Sequence, residues 1–149
     1  DGGVTWSAGV PSQHKGPSSR FHIRRLESGR LLMVNHYDFK GRNNLTAMLS
    51  DDDGETWPYR LLLDGRNAVS YPDMGQAPDG SLYIIHDRER GGYKKQYADA
   101  RAEAREILLS KITEEDIIAG QLVTDGSFLC RIVSKLGDYD GDADALYLK

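Results

Sequence analysis

The chain has 149 residues, of which 39% are hydrophobic and 28% charged, and its net charge is −4. That balance suits one ordinary globular core and argues against a nucleic-acid surface, which needs a basic face. A single cysteine, Cys130, excludes a disulfide within the chain, and no apolar run approaches the roughly 18 residues that a membrane helix requires.

In chain order, the sequence opens on DGGVTW (1–6). Residues 21–26 then alternate apolar and polar side chains with one slip, as a half-buried strand does. Glu27-Ser28-Gly29 marks a turn, and 31–37 is a second strand. A third strand at 44–50 runs into SDDDGETW (50–57), and a fourth covers 59–63. Four more strands are expected at 71–77, 82–87, 107–112 and 127–133. Residues 97–105 (YADARAEAR) form an insertion rich in helix formers. Thr113-Glu114-Glu115-Asp116 has capping-box spacing with Asp in place of Glu, and Gly120 suits the stop of a short helix. Flanked by Phe-Leu and Arg-Ile-Val, Cys130 is expected to be a small buried hydrophobe rather than a reactive thiol.

The pattern Asp-x-Gly-x-Thr-Trp occurs twice, at Asp1 and Asp52, 51 residues apart. The same shift lays Ser28-Gly29-Arg30-Leu31 on Asp79-Gly80-Ser81-Leu82, Arg20 on Tyr71 and His36 on Asp87. Four antiparallel strands repeating every ~40–50 residues signal propeller blades. The fold expected is therefore all-β: a single partial β-propeller over 1–149, about two and a half blades, with a short helical insertion. The stretch 138–149 is expected to be a solvated acidic tail or a closing strand. Its acids resemble a calcium loop only loosely, because the glycine is misplaced and Lys149 stands where a bidentate glutamate belongs. In SDDDGETW the acids and glycine suit a tight hairpin, and Trp57 suits the seam between sheets, so the box is expected to be scaffold. His14, His22 and His86 show no metal-ligand spacing, and neither a metal nor a cofactor is expected.

Ser50, Asp52, Gly54, Thr56 and Trp57 match in full the Asp-box, or bacterial neuraminidase repeat, of the sialidase superfamily, which the chain resembles. Asp1, Gly3, Thr5 and Trp6 are a partial copy. Gly41-Arg42-Asn43-Asn44-Leu45-Thr46 looks like the segment carrying the last of the three sialidase arginines. Ser70-Tyr71-Pro72-Asp73, followed by Asp79-Gly80-Ser81, looks like the segment carrying the nucleophilic tyrosine. Proline follows Tyr71 where many sialidases have serine.

The resemblance implies the C-terminal part of a six-bladed, sialidase-like glycoside hydrolase, secreted or periplasmic, whose signal region lies outside this chain. Such an enzyme cleaves terminal α-linked sialic acid or a related acidic sugar. It works with retention, through a tyrosyl intermediate. Arginines fit the sugar carboxylate with a planar fork, and a neutral tyrosine attacks where a carboxylate nucleophile would be repelled. On this pattern Arg42 and Arg20 bind the substrate carboxylate, Tyr71 is the nucleophile, and Asp87 stands for a late glutamate that orients an arginine. His36, the equivalent of Asp87 one unit earlier, is expected near the same mouth. The general acid and the glutamate that activates the tyrosine are expected upstream of Asp1. The partner is a sialylated or other acidic glycan, with no nucleic acid or membrane and with self-association through exposed blade faces. The competing reading is a non-catalytic Asp-box propeller that binds glycans or proteins.

Overall fold

The computed structural model describes residues 1–89 and 106–135. Two four-stranded antiparallel meanders follow one another along the chain. The first is β1 (His22–Arg25), β2 (Leu31–His36), β3 (Leu45–Ser50) and β4 (Tyr59–Asp64), paired in chain order. The second is β5 (Val69–Gln76), β6 (Leu82–Arg88), β7 (Glu106–Ile112) and β8 (Phe128–Lys135), with helix α1 (Glu114–Ala119) in the β7–β8 connection. The described part is thus nearly all β, in an arrangement consistent with propeller blades. The helical insertion expected at 97–105 and the acidic stretch at 138–149 lie outside the described residues.

Period-two alternation decides which face of each strand is buried. Leu32 and Val34 of β2, Leu45, Ala47 and Leu49 of β3, and Leu61 and Leu63 of β4 face the second sheet. There they meet Val69, Met74, Leu82, Ile84 and Ile112 in one continuous core. The opposite face of the first sheet carries a smaller cluster of Met33, Met48 and Trp57. Every residue of β3 is buried, as a strand covered on both faces should be.

Helix α1 closes the core from the side through Ile117. Thr113 caps it, with its hydroxyl accepting from the Asp116 N–H while the Asp116 carboxylate accepts from the Thr113 N–H; Gly120 ends it in the left-handed conformation. Asp116 also accepts from the N–H groups of Val123 and Thr124 at 2.7 and 2.8 Å and from the Ser127 hydroxyl at 2.6 Å. One buried carboxylate thereby organises the turn that, in the first sheet, is built by the acid box.

Two expectations need correction. The first strand is shorter than 21–26: Phe21 is exposed, and Leu26 leaves the ladder to close a turn on Arg30 through a 2.8 Å hydrogen bond. The fifth strand does not begin at Tyr71 in an extended conformation. It begins at Val69, and Tyr71 is left-handed at φ 56°. The cause is a β-bulge: Ser70 pairs with Asp87 and Asp73 with Ile85, so Tyr71 and Pro72 together oppose His86. Proline has no N–H to give to a ladder and fits such an interruption.

Candidate functional site

The acid box sits in the β3–β4 hairpin. Ser50 Oγ accepts from the Gly54 N–H at 2.9 Å and donates to Asp52 at 2.7 Å. Asp52 accepts from the Thr56 N–H at 2.8 Å and from the Thr56 hydroxyl at 2.5 Å. Those hydrogen bonds hold its carboxyl down at about 2. The Trp57 indole N–H donates to the Gly54 carbonyl at 3.1 Å, and the ring lies on Met33 and Met48. The copy at 1–6 repeats the set: Asp1 accepts from the N–H groups of Gly3, Val4 and Thr5, and Trp6 donates to the Gly3 carbonyl at 2.9 Å. Both boxes fold alike, yet Trp57 is 8% exposed and Trp6 is 86% exposed.

The remaining candidates lie at the other end of the sheets. The 37–44 loop joins β2 to β3 there, and the 65–68 connection enters β5. The Arg42 carbonyl accepts from the Val69 N–H at 3.1 Å, which seats this loop against β5. From there the Arg42 guanidinium lies 5.5 Å from the centre of the Tyr71 ring and also donates to the Ser18 carbonyl. Arg20, just before β1, donates to the Pro72 carbonyl at 3.2 Å and pairs with Asp73 at 3.1 Å. His22 joins the same aspartate at 3.0 Å. Backbone donation from Met74, with His22 and the Arg20 guanidinium nearby, holds the Asp73 carboxyl below its ordinary range.

Arg42, Tyr71 and Arg20 are therefore neighbours, and Tyr71 is 36% exposed. Asp87 is close in the ladder but buried, accepting from the Ser70 hydroxyl at 2.7 Å, beside the bulge rather than in the open. His36 is also buried, with Nδ1 2.7 Å from the Asn43 carbonyl, and burial lowers its basicity. A cavity of about 530 Å³ opens elsewhere, on the outer face of the first sheet around Met33, Met48, Trp57, His14 and Asn35. Its apolar floor is the outward face of a sheet, and none of the four candidates, Arg20, Arg42, Tyr71 and Asp87, lines it.

Sequence reasoning did not bring out two features. Asp73 occupies the charge of Arg20, which only the fold could reveal. Asp64, His86 and Cys130, from β4, β6 and β8, also meet inside the molecule. Their separation along the chain matches no local ligand motif.

A family model of BNR repeat-like domains matches residues 1–84, and the chain belongs to that family. This places it in the BNR, Asp-box, sialidase-like superfamily. No curated protein and no solved structure matches the chain.

Proposed function

We propose that the chain forms part of a β-propeller of a sialidase-like glycoside hydrolase, acting on terminal α-linked sialic acid or a related acidic sugar. The observation that carries this reading is the contact of Arg42 with Tyr71 at the end of the sheets away from the acid box. A guanidinium beside an exposed phenol supplies two requirements of this chemistry: charge for the sugar carboxylate and a neutral nucleophile next to it. Arg42 is the carboxylate ligand and Tyr71 the nucleophile. Arg20 contributes through the Pro72 carbonyl, which it holds, and Asp87 through the Ser70 hydroxyl. The two sheets are adjacent blades of the propeller, with β1 and β5 innermost. The general acid and the activating glutamate come from other blades, so the chain alone is expected to be inactive.

A glycan-binding propeller without catalysis is the second reading. It is favoured by the Arg20–Asp73 pair and by the burial of Asp87. Saturation-transfer NMR with a sialic acid glycoside tests the shared site. Arg42→Ala should weaken binding about 10- to 100-fold, the cost of one charged hydrogen bond, while Tyr71→Phe should bind nearly as the parent does. Binding unaffected by Arg42→Ala sinks both readings. Release of a fluorogenic sialoside by the chain, abolished by Tyr71→Phe, would overturn the expectation of inactivity.

A further inference from the structure

Asp64 at the end of β4, His86 in β6 and Cys130 in β8 bring an oxygen, a nitrogen and a sulfur within 4.8 Å of one another. Asp64 Oδ2 is 3.2 Å from His86 Nε2, and Cys130 Sγ is 3.1 Å from the Leu63 carbonyl oxygen. Asp64 and His86 are almost wholly buried, and His86 Nδ1 has no hydrogen-bond partner. Cys130 reaches this spot only through a distortion. Leu109 pairs with Arg131 and Lys111 with Phe128, so Leu129 and Cys130 bulge opposite Ser110, and Cys130 is left-handed at φ 52°. A strained, bulged residue whose side chain is turned inward is a common mark of a functional position.

A nucleophilic thiol is the first alternative, and it does not fit. The Cys130 sulfur lies 3.1 Å from the Leu63 carbonyl oxygen, and burial and the Asp64 charge push the thiol up to about 12.

We propose that Asp64, His86 and Cys130 form a structural site for a divalent transition ion, Zn²⁺ above all, clamping the first sheet to the second. Ligands held ~2.0–2.3 Å from zinc lie about 3.3–3.8 Å from one another, so the cluster needs only a small contraction. The Leu63 carbonyl oxygen, 3.1 Å from the Cys130 sulfur, is the nearest backbone oxygen shown for a fourth donor. Charge balances as well. One carboxylate and one thiolate neutralise the ion, one proton leaves the Cys130 sulfur, and coordination through His86 Nε2 requires the imidazole proton on Nδ1. Arg66 holds both Asp64 oxygens, at 2.9 and 2.7 Å, and so orients the ligating carboxylate. This site is independent of the hydrolase reading.

The test uses the full chain freed of metal by a chelator and titrated with Zn²⁺ and with Co²⁺. The expected result is one Zn²⁺ per chain, about one proton released, a sulfur-to-cobalt charge-transfer band with Co²⁺, and a raised Tm. Cys130→Ala should lose the band and the Tm gain. A Co²⁺ spectrum without the sulfur band overturns the proposal, even if Cys130→Ala fails to fold. So does Zn²⁺ binding that survives Cys130→Ala undiminished, because surface histidines would then be the ligands.

Discussion

At the scale of single residues, the two acid boxes provide an internal comparison. Both hold the same turn, but only Trp57 has a sheet beneath it. Trp57→Ala should therefore cost ~3–5 kcal/mol, the usual loss for a buried aromatic. Trp6→Ala should stay within about 0.5 kcal/mol, because an exposed side chain leaves nothing uncovered when removed. Chemical denaturation of both variants checks the pair, and equal costs would place Trp6 against a partner surface. Asp52→Ala should lower Tm, since Asp52 accepts from both the N–H and the hydroxyl of Thr56. Added calcium should move the midpoint of neither the parent nor Asp52→Ala. A calcium-dependent rise confined to the parent would mean that the box binds metal.

At the scale of elements, most strands were legible because alternation and turn residues agree along the chain. Helix α1 was legible from Thr113, Asp116 and Gly120 alone. The bulge at Tyr71 was not, because it depends on which residues of β6 lie opposite, and pairing register is a tertiary property. At the candidate site, motif order drew attention to Arg42 and Tyr71, whereas Asp73, which pairs with Arg20, carries no signal of its own in the sequence. Asp116 offers the sharpest test at this scale. Burial pushes its carboxyl up, but the Ser127 hydroxyl and the backbone N–H groups of Val123, Thr124 and Thr113 outweigh that and hold it at about 2. A depressed folded value stabilises the native state fully above the unfolded value near ~4, and the contribution is lost as pH falls through about 2. Tm should therefore drop between pH 4 and 2. Asp116→Ala should lose ~1–3 kcal/mol at pH 7, because its part-buried donors lose their common acceptor. It should also show a shallower acid limb. An acid limb identical to that of the parent would remove Asp116 from the cause.

At the scale of the molecule, the core joins the two sheets, but each sheet keeps an apolar outer face. On the second sheet Tyr83 and Ile85 are exposed side by side along β6. On the first, the cavity of about 530 Å³ has Met33, Met48 and Trp57 in its floor. Radial stacking of blades would cover both faces with further sheets, and exposed apolar patches of this kind tend to find a partner. The chain in isolation is expected to associate with itself, sheet face against sheet face, in a two-fold arrangement that lets the same patch serve both copies. Light scattering over a concentration series should give a mass rising from the 16.6 kDa of one chain toward twice that value. Ile85→Lys should shift this equilibrium toward the monomer without lowering Tm, because the added charge sits on an already exposed position. A monomer at the highest concentration overturns the expectation. A dimer indifferent to Ile85→Lys would move the contact to the face of Met33, Met48 and Trp57.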